Sequence, residues 1–597
     1  MKTPSFIFAS VMVALLLIGA SDASDVVQAS AVIAKIEQGA PVNYDGVTIE
    51  GDLDLSGMTS GMTLGPVNFR NAIFRGNVNF KSVNFTGDTR FDNAKFCGAA
   101  KFVDANFGGG NTIFSGAQFC GAAKFVDVNF SGGSANFNEV HFDGDDAEFA
   151  WANFSSGAAN FNMAQFSGGA AIFLKANFSG GAANFNMAQF SGAANFNGAM
   201  FSGGAANFEV ANFSGGDADF RNAEFGGGDA IFTGARFGGA ARFKGAVFSG
   251  GDAIFKAAQF NGGIAEFKSA NFNGGAADFT NAEFYGGDAD FGGTKFSGGY
   301  ANFNDVTFSG GAAIFGSSVF KSGAYFTNAN FSGGDAGFAK VKFSGLANFA
   351  TAKFLCGAAD FSDAQFDYAN FKEAVFRGDD ANFNRANFGG AANFEKAEFG
   401  KYALFKGANF SKTAGELYLN RTRYDKISIR WDSIKDIKKL NFDDEAYLRL
   451  INNYKELGWF EDYNECYYHY MKNRDCGCCL GFRWWVSKIF YVSYGYGAKP
   501  EFPLVWSLAT IILFGVVWWG VEPHLKDGKS VTTWKEALKF SSVVFLSSTK
   551  LSIDPPELDA REESWDKSIF LAERIIGSLL FFFFLFAAST SLLIKIV

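Results

Sequence analysis

The chain has 597 residues, among them 76 phenylalanines and 72 glycines, and a formal net charge of −9. Its 51 Lys and Arg stand against 60 Asp and Glu, which leaves no basic excess for the phosphate backbone of nucleic acid. The three histidines, His141, His469 and His524, stand far apart, and no nucleophile, phosphate-loop or metal-ligand motif accompanies them. We therefore expect no nucleic-acid partner, no enzymatic activity, no metal and no cofactor.

The N-terminus has the pattern of a secretory signal peptide at residues 1–23. Lys2 precedes an apolar stretch that ends at Ile18, and small residues follow up to Ala23. We expect cleavage near Ala23, with an uncleaved anchor as the alternative. Both interpretations place the chain that follows on the outer side of a membrane.

Sixty phenylalanines recur from Phe69 to Phe410, at gaps that alternate between five residues and a variable five to seven. A small residue stands two positions before nearly every one, as Ala159 does before Phe161. A period near five is neither helical nor alternating, and it indicates a solenoid that buries one small and one large side chain per side. Four rings per coil predict 15 coils, with a first coil and cap in 24–68 and a second cap in 411–442.

The repeat text ANFSGGAANFNMAQF, residues 176–190, resembles the pentapeptide-repeat family. The resemblance implies a β-solenoid of the right-handed, four-sided β-helix type over 69–410. Every second corner carries extra residues, usually glycine, such as Gly180 and Gly181. We expect these glycines to bulge at two opposite corners, where a positive φ is needed.

Cys97 and Cys120 each follow a ladder phenylalanine and lie four rungs apart. They should therefore be neighbours on one face, either joined as a disulfide or as two unlinked small residues. Three further cysteines, Cys476, Cys478 and Cys479, are candidates for acylation. Metal binding is the disfavoured alternative, because only His469 and Cys466 stand nearby as further ligands.

Helical spacing of apolar residues marks 443–474, with a break at Gly458, and predicts an αα-hairpin. It resembles one unit of a tetratricopeptide repeat, so a peptide-binding groove and a simple packing collar are both open. The juxtamembrane segment 475–503 follows.

Two apolar stretches, 504–521 and 569–597, are each long enough to cross a bilayer, and two buried core helices are the alternative. Trp518 and Trp519 stand where an interfacial aromatic belt would lie. Glu573 and Arg574 near the start of the second stretch are expected to be interfacial rather than gating.

Between these stretches, residues 534–549 are apolar but too short to span, which favours a re-entrant or interfacial helix. In layout, 504–597 resembles the two-helix ion-channel family, with 534–555 as the pore-loop segment. The positions equivalent to the filter are Thr549, Lys550, Leu551, Ser552, Ile553 and Asp554. They contain no glycine, so the potassium-type filter is absent and Lys550 would repel a cation.

Lysines on the two sides of the first span favour placing the 523–567 segment inside the cell, in agreement with the signal peptide. The sequence thus predicts a multi-pass protein of the cell membrane with an extracytoplasmic solenoid. Its function would be that of a scaffold or interaction protein, anchored and oligomerised by a channel-derived module, with the bilayer, a second copy and an unidentified protein as partners. The alternative is an ion channel gated by the solenoid. DNA mimicry, known for cytoplasmic pentapeptide-repeat proteins, is disfavoured because export separates the solenoid from its target.

Overall fold

The computed structural model describes residues 25–58, 62–474, 482–549, 554–559 and 564–596. They divide into two compact units, Met1–Ser322 and Gly323–Val597. The predicted signal peptide and Cys476, Cys478 and Cys479 lie outside the described residues.

Short parallel strands of mostly two residues build the solenoid in both units. A representative coil of the first unit has strands Ala159–Asn160, Gln165–Phe166 and Ala171–Ile172, then a bridge at Asn177. Each strand pairs in register with the coil before and after, so that Phe166 lies on Phe142 and under Phe190. Identical residues therefore meet from coil to coil.

All sixty ladder phenylalanines are buried, as the periodicity predicts. The alanines two positions earlier are buried as well, for example Ala159 and Ala164. The rings of successive coils stack in four columns, represented by the pairs Phe137–Phe161, Phe142–Phe166, Phe149–Phe173 and Phe154–Phe178 with centroids 4.8, 5.0, 4.9 and 4.9 Å apart.

Rings of opposite columns meet edge to face, as Phe137 and Phe149 do at 5.4 Å and 89°. This combines the two ring geometries that aromatic quadrupoles favour. In the second unit the same stacking continues, with Phe326 and Phe349 at 4.7 Å. The expectation of four inward rings per layer is confirmed.

Counted over both units, the solenoid makes about 18 turns, more than the 15 that the phenylalanines alone predict. The additional turns are formed by segments before and after the ladder, in which phenylalanine does not recur. Before the ladder, Ile49 pairs with Phe74 and Leu53 with Val78, and both residues are buried. After the ladder, Leu417 pairs with Ala392.

A helix that the sequence did not indicate, α1 (Ala29–Glu37), stands at the start of the first unit. It buries Val32 and Ile36 and contacts the strand Leu53–Asp54. The strands around it are Val26–Gln28, Val42–Asn43 and Thr48–Glu50. Apolar residues thus cover the first layer of the column.

The expected role of the corner glycines is wrong. Gly168, Gly215 and Gly262 do not have left-handed φ values, although Gly263 and Gly357 do. A Cβ on Gly168 would lie 1.5 Å from the carbonyl oxygen of Gly144 in the preceding coil, and one on Gly215 equally close to that of Ser191. Glycine is required there because backbones of successive coils approach too closely for any side chain.

Positive φ values occur instead at the tight corners, two residues after a ladder phenylalanine. Most of these positions are not glycine: Asn93, Asp104, Met163 and Val210 have φ of 55°, 56°, 54° and 56°. The left-handed conformation costs an L-residue roughly 1–2 kcal/mol. The coil geometry imposes it on whatever residue stands there.

In the second unit, two longer strands, Lys342–Asn348 and Gln365–Asn370, turn a corner without interruption. Further strands are Ala391–Asn393, Tyr402–Leu404, Glu416–Tyr418, Lys426–Ile427 and Lys439–Asn441. Leu419, Ile427, Ile429 and Trp431 are buried beyond the last phenylalanine. The short helix α2 (Trp431–Ile434) follows.

Two helices lie against the last coil, α3 (Asp444–Glu456) and α4 (Phe460–Arg474), joined through Gly458 with φ 70°. The carboxamide of Asn453 accepts from the Ile427 N–H (3.0 Å) and donates to its carbonyl (2.9 Å). Asp462 accepts from the Trp431 N–H at 2.7 Å and pairs with Arg430. These buried side chains satisfy backbone groups that the next coil would otherwise bind.

The chain continues in four more helices of the second unit. They are α5 (Phe482–Tyr494), α6 (Glu501–Val521), α7 (Trp534–Ser547) and α8 (Ser564–Ile596). A 3₁₀ turn, Gly495–Gly497, connects α5 to α6.

Gly168→Ala should lower the free energy of unfolding by about 1–3 kcal/mol, because its methyl group overlaps the carbonyl of the coil before it. Urea unfolding of the full-length protein, followed by circular dichroism, measures the change. Gly226→Ala is the matched control, since its new Cβ would meet nothing closer than 3.6 Å. Equal effects of both substitutions would contradict the close-approach explanation.

Acid should weaken the region around His469. Its ring contacts Trp431 and the hydroxyl of Tyr447 (3.2 Å), and burial, assisted by Lys472, lowers the pKa of His469 below its ordinary value of 6.5. As the pH falls, the unfolded chain takes up the proton before the folded chain does. The contribution of the neutral His469 to the free energy of unfolding is therefore fully present above pH 6.5 and falls as the pH drops below it. His469→Gln should reduce the difference in unfolding midpoint between about pH 7.5 and pH 5, and an unchanged difference would contradict this.

Candidate functional site

Two helices are long and apolar enough to cross a membrane. In Glu501–Val521, an 18-residue stretch has a mean hydropathy of 2.0, and 11% of that stretch is buried. In Trp565–Ser589, the corresponding values are 2.1 and 17%. Val505 in the first helix is 64% exposed, and Phe582 in the second is 61% exposed. The described chain leaves most of both helices uncovered, which disfavours the alternative of two buried core helices.

Helix α7 packs against both α6 and α8. Its start is fixed by a capping box, in which Thr533 accepts from the Glu536 N–H and Glu536 accepts from the Thr533 N–H. Its 14 residues give a length of about 21 Å, shorter than the roughly 30 Å apolar core of a bilayer. The helix therefore fits the short element expected at 534–549.

The segments before and after α7 meet each other. Leu525 forms an antiparallel bridge with Leu558, and the Lys526 ammonium lies 2.7 Å from the Glu557 carboxylate. His524 bridges Ser530 in the same loop. The chain thus leaves the end of α6, makes α7, and returns close to its point of departure before α8 begins.

Small residues allow the three helices to approach closely. A Cβ on Gly515 of α6 would lie 3.2 Å from Cδ1 of Leu538, and one on Gly577 of α8 would lie 2.7 Å from Oγ of Ser548. The hydroxyl of Ser578 donates to the Ser548 carbonyl at 3.2 Å. Such contacts are the usual means by which helices associate within a bilayer.

Glu573, expected to be interfacial rather than gating, lies in the interior of the helical module. Its side chain is completely buried between the helices, and its carboxyl group binds Nε1 of Trp518 (2.7 Å) and Oγ of Ser541. Trp518, expected in an interfacial belt, is also completely buried and packs edge to face on Phe540. Trp519 is 51% exposed.

Helix α5 was not indicated by the sequence. Tyr494 at its end stacks on Phe583 of α8 with centroids 4.9 Å apart, and Nε1 of Trp506 in α6 donates to the Val492 carbonyl at 2.7 Å. Lys499 pairs with Glu465 of α4 at 3.0 Å. The described part of the segment 475–503 thus joins α4 to the apolar helices through both ring and ionic contacts.

Of the predicted filter positions, the structure describes two. Thr549 follows α7, and its hydroxyl donates to the Leu546 carbonyl at 2.6 Å. Asp554 is exposed. Lys550, Leu551, Ser552 and Ile553 lie outside the described residues.

On the solenoid, polar side chains bind one another from coil to coil. One series is a carboxamide ladder, in which each Asn donates to the one before at 2.8–3.0 Å, through Asn84, Asn106, Asn129, Asn153 and Asn177. At another corner Asp217 accepts from the Ala240 N–H, a bond that lowers the pKa of this carboxyl. These side chains hydrogen-bond successive coils to one another.

Cys97 and Cys120 lie on adjacent coils, as expected, since they follow the paired residues Phe96 and Phe119. Both are free thiols in the structure. No group of three His, Cys, Asp or Glu suited to a metal ion is found in the described part of the chain.

Comparison with known proteins supports the repeat. Residues 69–113 and 371–415 match the family model for pentapeptide repeats (9 copies). No curated protein and no solved structure matches the chain. The chain therefore contains pentapeptide repeats, folded as a β-solenoid and followed by helices of which two are apolar enough to span a membrane.

Gly577→Ala should destabilise the contact between α7 and α8, because its Cβ would lie 3.0 Å from the Phe545 carbonyl as well as against Ser548. We expect a lower temperature of aggregation for the full-length protein in detergent. The matched control is Gly520→Ala in α6, where a Cβ meets nothing within 4 Å. An unchanged temperature of aggregation in Gly577→Ala would show that the close approach at Gly577 is not required for the contact between α7 and α8.

Proposed function

We propose that this protein is a membrane-anchored scaffold that displays its β-solenoid outside the cytoplasmic membrane. Helices α6 and α8 span the bilayer, with α7 as a re-entrant element between them. The solenoid is right-handed and offers its polar faces to a protein partner, and the helical module associates with further copies.

The exposure of α6 and α8 is the observation that carries the proposal. Leu508 and Leu513 are 62% and 63% exposed, and Leu579 is 51% exposed. Continuous apolar surface of this kind is rare on soluble proteins and is stable in contact with lipid. The absence of a charged residue between Glu501 and Glu522 in α6 supports the same placement.

Helices α3 and α4 act as an αα-hairpin collar between solenoid and bilayer. Asn453 and Asp462 bind the backbone of the last coil, and Glu465 pairs with Lys499 just before α6. Since these contacts already use the inner face of both helices, a collar explains them better than a peptide-binding groove.

A labelling experiment tests the placement. In a variant whose only cysteine is Cys356, which is exposed on the solenoid, a membrane-impermeant maleimide should react in spheroplasts. A variant whose only cysteine is introduced by Lys529→Cys should react only after the membrane is opened, because residue 529 lies in the loop proposed to face the cytoplasm. Protection of Cys356 with labelling at residue 529 would overturn the proposal.

Ion conduction is the second candidate function. It is supported by the return of the chain around α7, where Leu525 bridges Leu558 between the two apolar helices. The lack of glycine from Thr549 to Asp554 speaks against potassium selectivity.

Planar-bilayer recording of the purified full-length protein distinguishes the two functions. A conducting protein should gain cation current in Lys550→Gln, because a positive charge in the pore-loop segment repels cations. Absence of current in both proteins would leave the scaffold as the function.

A further inference from the structure

Glu573 is a carboxyl group buried where three helices meet. Its exposed fraction is 0%, as are those of its two partners, Trp518 on α6 and Ser541 on α7. Trp518 donates its Nε1–H to Oε2 of Glu573 at 2.7 Å, and Ser541 Oγ is hydrogen-bonded to Oε1 of Glu573. The group therefore has one polar contact for each carboxyl oxygen.

The surroundings of Ser541 contain one proton too few if Glu573 is ionised. Its Oγ also lies 2.9 Å from the carbonyl oxygen of Ile511 on α6. A hydroxyl carries a single proton, and both a backbone carbonyl and a carboxylate only accept hydrogen bonds. One of the two contacts of Ser541 then has no hydrogen unless the Glu573 carboxyl supplies it.

In the part of the chain that the structure describes, no positive charge is positioned to neutralise an ionised Glu573. Within the described residues its partners are Trp518 and Ser541, and it forms no ion pair. The neighbouring Arg574 turns its guanidinium over the Phe570 ring, 5.7 Å from the centroid. An unpaired buried carboxylate is costly, whereas a protonated one is a neutral hydrogen-bonding group.

We propose that Glu573 is a proton-binding site that holds its proton as a neutral carboxylic acid. The acid donates from Oε1 to Ser541 Oγ, the Ser541 hydroxyl donates to the Ile511 carbonyl, and Oε2 accepts from Trp518. One bound proton thus completes a continuous hydrogen-bonded chain through α8, α7 and α6. Gly515 lies on the same side of α6, where a Cβ would come within 3.2 Å of Cδ1 of Leu538 on α7.

Loss of the proton should loosen α7. A carboxylate would compete with the Ile511 carbonyl for the single Ser541 proton and would stand unpaired between the helices. Among the described side chains, the other charged groups on these helices are Lys488 on α5, Glu501 on α6, Lys535, Glu536 and Lys539 on α7, and Asp566, Lys567 and Arg574 on α8. None of them forms a described ion pair with Glu573, so among the described groups no cation offsets its charge and proton uptake would remove it.

Infrared difference spectroscopy tests the assignment directly. The full-length protein in lipid nanodiscs at neutral pH should have a carboxylic-acid C=O band that Glu573→Gln removes. Glu522→Gln, the control at the exposed end of α6, should leave that band in place. A spectrum unaffected by Glu573→Gln would mean that Glu573 is ionised and would overturn the proposal.

Two further measurements distinguish the effect of protonating Glu573 from the effect of side-chain packing around it. Glutamine has the shape of the protonated acid and can also donate to Ser541, so Glu573→Gln should keep the wild-type melting temperature at neutral pH. It should also lose the fall in melting temperature that ionisation of Glu573 would cause in the wild type at alkaline pH. In Ser541→Ala the band should persist at a shifted frequency, because the acid keeps its proton but loses its acceptor. A Glu573→Gln protein that melts well below the wild type with unchanged pH dependence, or a Ser541→Ala spectrum identical to wild type, would contradict the hydrogen-bonded chain.

Discussion

The structure depends on in-register stacking of parallel coils. Because each strand pairs with its equivalent in the next coil, phenylalanine always meets phenylalanine along the ladder, and asparagine meets asparagine along the carboxamide series. Rings stack at about the spacing of paired strands, so burial of the ring and backbone hydrogen bonding are satisfied by the same register. A shift by one position would place ladder rings where polar side chains now face solvent.

The same constraint explains the corners and the ends. Backbones that stack this closely leave no room for a Cβ at Gly168 or Gly215, and the tight corners force ordinary residues such as Met163 into the left-handed region. The end of a stack exposes unpaired backbone, and side chains from outside the repeat supply the missing partners. Asn453 does this for Ile427, and Asp462 for Trp431.

The phenylalanine spacing was sufficient to predict the solenoid and its four buried columns, because the period is set by coil geometry and each ring is the largest side chain of its segment. It could not reveal why glycine recurs at the corners, since a left-handed turn and a close backbone approach demand the same residue. The phenylalanines alone give fewer coils than the structure has, because Ile49, Leu53 and Leu417 take the inward positions in the terminal coils; alternation of apolar residues indicates the first of these coils. Helices α1 and α5 were missed because their apolar residues suit several structures until the neighbouring elements are known.

The helical module was predictable in outline only. Length and apolarity marked α6 and α8, and the short polar-ended stretch marked α7. The burial of Glu573 does not follow from the sequence, because its partners, Trp518 and Ser541, lie 55 and 32 residues away in the chain. A charged residue near the start of an apolar stretch is compatible with an interfacial position until tertiary contacts place it in the interior.

The free energy of unfolding of Phe161→Ala tests the central claim most directly, since its ring is completely buried and stacks on Phe137 and Phe185. Stacked columns predict a loss of about 3–5 kcal/mol, from lost burial and the cavity that remains. The exposed Gln165 on the next side of the same coil provides the reference, and its alanine variant should change stability by about 0.5 kcal/mol or less. Equal losses for the two variants would contradict the dependence of this fold on its aromatic columns.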